Sequence, residues 1–353
     1  MQRVLIALYV VLTVSVFGAE PATQWYKGNT HTHTILCGHA DSEPPVVAQW
    51  YIDRGYHFLC LSEHNKYIDP ATVELPKDRR KDFILIPGQE ITSSVHMTAL
   101  NTMRLVRWEF KSPNKSEIVQ NYVDGTREAG GLPILNHPNF QWALKASDIL
   151  PVKNLHLFEL YNGHPSVNND GDETHPSTEV LWDVLLSDGL VVWGVSSDDM
   201  HNLKKWGPKI SNPGRGWVSV RSSELTPQAI TQAMFKGDFY SSSGVVLKAL
   251  KASTSAYEIE VDEAATLKEL ESPVLITKSV TEGEPGWRID FIGKGGKVLQ
   301  SVKGTQAAYV LPKNEPYVRS KITYTRKTDE GLQQCFAWTQ PVFSDDRLAK
   351  VAK

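Results

Sequence analysis

All eleven histidines of this chain lie between residues 31 and 201. Seven of them fall into short clusters, each beside a carboxylate or at the end of an apolar run. The clusters are Thr30-His31-Thr32-His33, Cys37-Gly38-His39, Ser62-Glu63-His64, Gly88-Gln89-Glu90 followed by His96, Asn136-His137-Pro138, and Asp198-Asp199-Met200-His201. Imidazole and carboxylate groups are the usual protein ligands of zinc, manganese and iron. The clustering therefore predicts a fold that gathers these segments into a multinuclear metal site, which is typical of a hydrolase.

From Trp25 to about Gly244, short apolar runs alternate with helical stretches, a pattern that favours an α/β fold with parallel strands and crossover helices. The apolar runs are Phe58 to Leu61, Phe83 to Ile86, Leu132 to Leu135, Leu155 to Leu160, and Leu190 to Val195. The predicted helices are Pro45 to Arg54, Ser116 to Ala129, Ser177 to Ser187, and Thr226 to Lys236. His64, Glu90, His137 and Asp199 each follow the end of a run by two to five residues. Because strand ends on one face of a parallel barrel converge, these side chains are expected to meet.

From about Val245 onward the pattern changes to strands with alternating apolar and polar residues, such as Tyr257 to Val261, Trp287 to Ile292 and Val318 to Thr325. Turn sequences rich in glycine and proline separate them. This region is predicted to be a small all-β, sandwich-like domain. The predicted organisation is therefore a signal peptide over residues 1–19, a metal-dependent hydrolase barrel over residues 24–244, and a β-sandwich over residues 245–353.

The first residues have the features of an export signal. Arg3 provides the positive start, Val4 to Phe17 are apolar apart from two hydroxyl residues, and Gly18 and Ala19 offer a cleavage point. An uncleaved membrane anchor is the alternative. No later segment approaches the roughly 20 apolar residues of a membrane span. The mature chain is therefore expected in the periplasm or outside the cell, free of the membrane after cleavage.

The overall charge argues against one class of partner. The formal net charge is −3 with a pI near 6.4, and lysine, arginine, aspartate and glutamate are intermixed along the chain. A nucleic-acid-binding protein usually carries a basic face, so no nucleic-acid partner is expected. The sequence does not indicate an oligomeric state.

Two pairs of candidate ligands, His31 with His33 and Asp199 with His201, are each separated by one residue. His31 and His33 are separated by one residue, so both side chains point to the same face of an extended strand. Asp199 and His201 repeat that spacing. Two ligands on one face can bind one metal ion, and the pairs gain significance because His64, Glu90, His96 and His137 follow the predicted strand ends.

The order of these motifs resembles the PHP (polymerase and histidinol phosphatase) family. His-x-His with a third histidine soon after is followed by a strand ending in Glu-His, then Gly-x-Glu with a downstream histidine, His-Pro, and Asp-x-His. The stretch from Thr30 to Ala40 is especially similar, and the resemblance runs over about residues 27 to 245. It implies a distorted seven-stranded (β/α) barrel that holds two to three divalent ions of zinc, manganese or iron. The implied metal ligands are His31, His33, His39, His64, Glu90, His96, His137, Glu159, Asp199 and His201.

Several of these assignments have alternatives. Asp41 is the alternative to His39, because many members of the family use an aspartate in this stretch. Position 159 departs from the pattern, since members with Cys-Gly-His often have a histidine there. Asp198 is the neighbour of Asp199, but the Asp-x-His spacing favours Asp199.

The resemblance also implies a mechanism, in which a metal-activated hydroxide hydrolyses the phosphoester of a small organic phosphate. Glu90, as a bridging carboxylate, Asp199 and His201 are the expected catalytic residues. The residues predicted to bind the substrate are Arg215, Asn162 and His164. A metal-dependent amide or lactone hydrolase is one alternative. The other is a non-catalytic carbohydrate- or surface-binding protein, which would need exposed aromatic side chains in the C-terminal region; the candidates are Trp287, Tyr309, Tyr317 and Trp338.

Overall fold

The computed structural model of this chain describes residues 22–76, 78, 81–272, 278–344 and 348. The predicted export signal lies outside the described residues. Within them, no helix combines the length and the apolar character needed to cross a membrane. The description below divides the chain into an N-terminal part, residues 22–244, and a C-terminal part, residues 245–344.

The N-terminal part alternates strands and helices. In chain order they are β1 (Gln24–Asn29), α1 (Pro44–Ile52), β2 (Phe58–Leu59), β3 (Ile84–Leu85), β4 (Gly88–Thr92), β5 (His96–Leu100), α2 (Lys115–Glu128), β6 (Leu132–Leu135), α3 (Ala146–Ile149), β7 (Leu157–Asn162), α4 (Thr178–Ser187), β8 (Trp193–Ser197), β9 (Trp217–Ser222), α5 (Pro227–Lys236) and β10 (Phe239–Ser242).

The C-terminal part consists mostly of strands. They are β11 (Leu247–Ala252), β12 (Ala256–Val261), β13 (Lys278–Val280), β14 (Gly286–Ile292), β15 (Val298–Lys303), β16 (Gln306–Val310), β17 (Tyr317–Thr328), β18 (Gly331–Thr339) and β19 (Val342–Phe343), with the helix α6 (Glu263–Leu270) after β12. The predicted strands at 257–261, 287–292 and 318–325 are confirmed. The prediction that this region is all-β is wrong at α6, which begins where the Asp262 side chain accepts a hydrogen bond from the backbone N–H of Ala265.

Local sequence signals explain the four longer helices of the N-terminal part, all of which were predicted. Asn114, Ser177 and Thr226 cap α2, α4 and α5 by accepting a backbone N–H of the first turn. α1 and α5 each have proline at their start, where the missing N–H costs nothing. Gly237 ends α5 with φ at 78°, a left-handed conformation that glycine adopts without steric cost.

Five strands, β4-β5-β6-β7-β8, form one sheet of the N-terminal part. The pairs β6–β7 and β7–β8 are parallel, as expected for strands joined by helices. The pairs β4–β5 and β5–β6 are antiparallel, so the prediction of parallel strands is wrong there. Only three residues connect β4 to β5, which permits a hairpin and excludes a crossover helix.

A second group of strands in the N-terminal part has the order β10-β9-β1-β2-β3. β1, β2 and β3 are parallel, whereas β9 and β10 run antiparallel to their neighbours. Two isolated parallel bridges, Thr32 to Met200 and His64 to Glu90, join this group to the five-stranded sheet. The fold is therefore mixed α/β, and its hydrogen-bonded ladders do not form a closed barrel over the described residues.

The sheet of β1 continues into the C-terminal part, because β10 pairs with β18 in the register Ser241 to Trp338. The full order is β15-β14-β17-β18-β10-β9-β1-β2-β3, with β13 also on β18 and β19 on β17. A three-stranded sheet, β11-β12-β16, packs against it, and the rings of Phe291 and Tyr309 stack between the two sheets with centroids 4.7 Å apart. The C-terminal part thus has two facing antiparallel sheets around its own core.

Several polar contacts anchor the C-terminal part to the N-terminal part, and two of them involve the buried side chains of Arg319 and Gln340. Arg319 of β17 donates Nε to Asp183 Oδ1 at 2.8 Å and Nη2 to Asp183 Oδ2 at 2.6 Å, and Asp183 lies on α4. Both side chains are almost fully buried. Gln340, which follows β18, both accepts from the N–H and donates to the carbonyl of Gly194 in β8.

The aromatic residues considered for a binding face are largely inside the protein. Tyr317 and Trp338 are buried, and half-buried Trp287 packs on Tyr324 at a centroid distance of 4.3 Å. Tyr309 is half-buried against Phe291. These positions do not form an exposed aromatic face, because their rings fill the space within and between the sheets.

Candidate metal centre

The predicted ligands converge from both sheets of the N-terminal part. His31 and His33 follow β1, His64 follows β2, Glu90 lies in β4, His96 begins β5, and His137 follows β6. Asp199 and His201 follow β8. Because β5 is antiparallel to its neighbours, its first residue lies at the same edge as the last residues of the parallel strands. The hairpin thus places His96 in the site from the start of a strand.

Glu90 is at the centre of this cluster. Its Oε1 lies 3.3 Å from His31 Nε2, 3.1 Å from His96 Nδ1 and 3.3 Å from His137 Nε2. Its Oε2 lies 2.6 Å from His64 Nδ1 and 3.7 Å from His33 Nε2. Each carboxylate oxygen thus faces a different set of imidazoles, which is the arrangement that a carboxylate bridging two metal ions requires.

Two inner groups of potential ligands share His31. One is His31, His33 and Glu90, and the other is His31, His137 and Asp199, with the ligand atoms of each group within 4.8 Å of one another. Asp199 Oδ1 lies 3.3 Å from His33 Nε2 and 3.4 Å from His31 Nε2, so it connects both groups. Asp199 has φ at 49°, a conformation that is uncommon for a residue with a side chain and typical of functional sites.

Two further groups complete the cluster. Glu90, His96 and His137 form one of them, and His39, His64 and His201 form the most exposed one. His39 Nε2 lies 3.3 Å from His64 Nε2. Asp41, the alternative to His39, is directed elsewhere, because its carboxylate accepts the backbone N–H groups of Leu203 and Lys204. The structure therefore places His39, not Asp41, beside the other ligands.

Glu159 differs from the other predicted ligands. Its Oε1 lies 2.7 Å from His31 Nδ1 and accepts a hydrogen bond from Ser197 Oγ, and its Oε2 accepts from the His137 N–H and from Asn162 Nδ2. Glu159 belongs to none of the ligand groups found among the described residues. A carboxylate that accepts the Nδ1 proton of a histidine fixes the ring so that Nε2 faces the metal. The geometry therefore favours an orienting role for Glu159 over direct ligation.

Burial and charge set the protonation of the cluster. Burial disfavours the charged form of His31, but the carboxylates of Asp199, Glu159 and Glu90 outweigh it and hold the pKa of His31 well above its usual value. Burial would raise the pKa of Glu90, but the neighbouring histidines, His96 first, hold it well below its usual value. Burial lowers the pKa of His33 and lowers that of His201 to about 4, so both rings are neutral near pH 7.

The cluster has the donor set that a divalent metal requires. His33 Nδ1 and His201 Nε2 are buried and make no hydrogen bond to any described residue. An unsatisfied buried polar atom costs about 1–3 kcal/mol, which a metal ion bound by a neutral imidazole offsets. His201 Nδ1 lies 3.0 Å from the Asp199 carbonyl oxygen, an acceptor that leaves Nε2 with its lone pair free. Neutral imidazoles and ionised carboxylates in overlapping groups fit zinc, manganese or iron.

Asp198 has a structural role next to the site. Its carboxylate accepts the backbone N–H groups of Gly214, Arg215 and Gly216 and the hydroxyl of Tyr51, so it fixes the loop before β9. Asp199, which faces the cluster, is therefore the residue in ligand position.

The prediction that Arg215 binds the substrate does not fit the structure. Its side chain is 2% exposed, and its guanidinium donates to the carbonyl oxygens of Gly163 and Gly207 and to Asn212 Oδ1. The physical reason is that the loop before β9 turns inward onto Asp198, which buries Arg215 among backbone oxygens. Arg215 holds loops together and is not presented to a ligand.

The other two predicted substrate residues lie beside the cluster. Asn162 is buried and donates Nδ2 to Asp199 Oδ2 at 3.2 Å as well as to Glu159, so it helps to position both carboxylates. His164 is half-buried, with its ring edge-on to that of His201 at 5.6 Å. Burial lowers the pKa of His164. Of the two, His164 is the one open to a bound molecule.

Sequence reasoning missed some residues that support the cluster. Asn136 donates Nδ2 to Glu90 Oε1 at 2.8 Å, and its position directly before His137 was the available signal. Cys37 forms a further candidate group with His33 and His201. His57, His156 and His175 lie outside all ligand groups found in the described part of the chain.

The comparisons with known proteins give limited information. No family model matches this sequence, and no curated protein matches it. Among solved structures, the chain is similar to a two-domain protein from Bacteroides vulgatus that is described as containing a predicted PHP-like metal-dependent phosphoesterase. The sequences are 13% identical, the TM-score is 0.45, and the match covers 86% of this chain and 91% of the other. The functional assignment therefore depends on the geometry of the cluster.

Proposed function

We propose that this chain is a metal-dependent phosphoesterase that hydrolyses a small organic phosphate at a centre of two or three divalent ions. The observation that carries the proposal is the set of overlapping ligand groups, which contain seven histidines and two buried carboxylates, Glu90 and Asp199. A third buried carboxylate, Glu159, lies beside His31. Three buried carboxylates need compensating positive charge. Bound cations supply that charge, and neutral His33 and His201 supply free lone pairs.

The ions would be held by His31, His33, His39, His64, Glu90, His96, His137, Asp199 and His201. When bound, they lower the pKa of water and neutralise charge on phosphoryl oxygens. The residues of the chain orient and hold this centre: Glu159 fixes His31, Asn162 fixes Asp199, and Asn136 fixes one oxygen of Glu90. His164 is half-buried with its ring beside that of His201, so it is placed to contact the leaving group.

A phosphoester fits this centre better than an amide or a lactone. In phosphoryl transfer, negative charge spreads over several oxygens, so adjacent cations contribute more than a single one. Cations bound by ligand groups that share Glu90, His31 or His201 would lie next to one another. Amide or lactone hydrolysis is the second candidate, because one cation with an oriented carboxylate suffices for it.

The test combines metal content with activity. Elemental analysis of the purified chain is expected to give two to three ions, and hydrolysis of p-nitrophenyl phosphate or bis-p-nitrophenyl phosphate is expected to stop on chelation and return with added metal. Glu90→Gln should lose both metal and activity, whereas His156→Gln changes a histidine outside the ligand groups and should lose neither. Full metal content with no phosphate release would favour the amide or lactone alternative. Less than one ion per chain after reconstitution would refute a metal enzyme altogether.

Two finer features belong to the same proposal. The two sheets are the halves of a distorted (β/α) barrel, a proposal supported by the parallel bridges that join them at Thr32 to Met200 and His64 to Glu90. Export to the periplasm or the medium is supported only by the sequence of residues 1–19. N-terminal sequencing of the mature protein tests export, and a start at Met1 would contradict cleavage.

A further inference from the structure

The segment that follows His201 contains three lysines within six residues. We call residues 202–209 the lysine loop. Lys204, Lys205 and Lys209 are exposed, and none of the three ammonium groups has an ion-pair partner among the described residues. By contrast, the exposed Lys248, Lys251 and Lys303 of the C-terminal part are each paired with a glutamate.

Buried polar groups hold the backbone of the lysine loop from below. Asn212, which is 0% exposed, donates Nδ2 to the carbonyl oxygens of Asn202 and Lys205 at 2.8 and 2.7 Å and accepts the N–H of Gly207. Arg215 donates Nη2 to the Gly207 carbonyl oxygen at 2.7 Å. The buried side chains of Asn212 and Arg215 thus fix the loop backbone at three residues, Asn202, Lys205 and Gly207.

The lysine loop is also fixed beside the exposed ligand group. Asp41, two residues after His39, accepts the N–H groups of Leu203 at 2.9 Å and Lys204 at 3.0 Å. Farther along, the ring of Trp206 stacks on Trp50 of α1 with centroids 6.2 Å apart. The backbone of Lys204, three residues after His201, is therefore held against the segment that contains His39.

A loop that only faces solvent does not require hydrogen bonds from side chains to hold its backbone. Three unpaired cations within six residues repel one another, and side-chain entropy favours leaving such a loop mobile. A rigid backbone strengthens the binding of an anion to these lysines, because the entropy cost of ordering the loop is met before the anion binds. Phosphoryl oxygens would contact the metal ions, which leaves the lysines of the loop available for charge elsewhere on the substrate.

We propose that Lys204 and Lys205 bind a second anionic group, a carboxylate or a further phosphate, on the leaving-group side of the substrate. This inference rests on the proposed phosphoesterase function and specifies its substrate class. The substrate would be a phosphoester with at least two anionic groups. The lysines would thus take the substrate-binding role that was predicted for Arg215, while Arg215 holds the loop through the Gly207 carbonyl oxygen.

The experiment uses two esters that differ in one group. Glycerol 3-phosphate and 3-phosphoglycerate share the phosphoester, but only the second carries a carboxylate. The metal-loaded wild type is expected to have the lower KM for 3-phosphoglycerate. In Lys204→Ala/Lys205→Ala, KM for 3-phosphoglycerate should rise about ten-fold with kcat retained, while KM for glycerol 3-phosphate changes less than about two-fold. Lys204→Arg/Lys205→Arg should restore most of the selectivity.

The matched control is Lys294→Ala/Lys297→Ala, which removes two exposed lysines of the C-terminal part and should change neither KM. Metal content of each variant is measured first, to verify that the centre is intact. If KM rises equally for both esters, or for neither, the inference is overturned. If the wild type releases no phosphate from either ester, the proposed phosphoesterase function fails. The lysine loop is then tested by the dissociation constants of the two esters, measured by calorimetry for the wild type and the alanine variant. A loss of preference for 3-phosphoglycerate in the alanine variant supports the lysine loop as an anion site, and an unchanged preference overturns it.

Discussion

The buried pair of Arg319 and Asp183 offers a direct test of how the two parts of the chain depend on each other. Arg319→Met removes the guanidinium and keeps much of the apolar volume. It leaves the Asp183 carboxylate, whose side chain is 8% exposed, with the hydroxyl of Tyr317 at 3.0 Å as its remaining side-chain partner. The guanidinium also packs over the ring of Trp182 at 4.9 Å, and methionine retains part of that contact.

The size of the effect follows from the desolvated charge. Leaving one partner of a buried ion pair without the other costs about 3–5 kcal/mol. With an unfolding entropy of about 2.1 cal/mol/K per residue, a chain of 353 residues has about 0.7 kcal/mol/K, so the melting temperature should fall by about 4–7 °C. Asp183→Leu/Arg319→Met removes both charges and should recover most of this loss, to within about 2 °C of the wild type.

Differential scanning calorimetry measures these shifts. The exposed pair of Lys248 and Glu260 provides the control, and Lys248→Ala should leave the melting temperature unchanged within error. The single variant should also melt in one transition, because the sheet that contains β10 and β18 crosses both parts. The reasoning would be refuted if Arg319→Met lowered the melting temperature by less than about 2 °C, or if the double variant were no more stable than the single one.

Three further results are expected. Glu159→Gln weakens the hydrogen bond that orients His31 and should lower metal affinity 10- to 100-fold in competition with a chromophoric chelator; an unchanged affinity would argue against an orienting role. The pKa of His201 is lowered to about 4, so its contribution to the stability of the chelator-stripped protein is complete above pH 6.5 and is lost as the pH falls through 4. Urea unfolding of the wild type should show a fall in the free energy of unfolding of at most about 3 kcal/mol over this pH range, and His201→Gln should lack this fall. Equal pH profiles of the two proteins would contradict the role of His201. Gly216→Ala should lower both the melting temperature and the metal content, because a Cβ there would lie 2.4 Å from the carbonyl oxygen of Ser197, two residues before Asp199. Gly207→Ala meets its first neighbour at 3.6 Å and should be tolerated; equal effects of the two would count against the close approach.

The sequence was sufficient for features that depend on local signals. The four longer helices of the N-terminal part were predicted between or after the apolar runs, and apolar runs identified β6, β7 and β8. The clusters of histidine and carboxylate also indicated which residues meet, because strand ends of a parallel sheet share an edge. The sequence left His39 and Asp41 as alternatives, and the structure places His39 beside the other predicted ligands.

The remaining features depend on contacts between distant segments. The β4–β5 hairpin was missed because Gly88 to Leu100 has no strong turn sequence, and its antiparallel direction decides how His96 enters the site. Whether an arginine faces solvent cannot be read from Gly214-Arg215-Gly216-Trp217, since Asp198 pulls that loop inward. Glu159 was predicted as a ligand from its position in a motif, but its partners His31 and Asn162 are fixed only by the fold.

The hydrogen bonds between β10 and β18 have a consequence for any shortened form of this protein. A fragment that stops at residue 244 would keep every residue of the metal cluster, yet β10 would lose its neighbour and Gly194 would lose Gln340. Unpaired strand edges recruit other chains, so such a fragment is expected to self-associate, which size-exclusion chromatography would reveal. The C-terminal part is thus expected to protect the edge of β10 against aggregation.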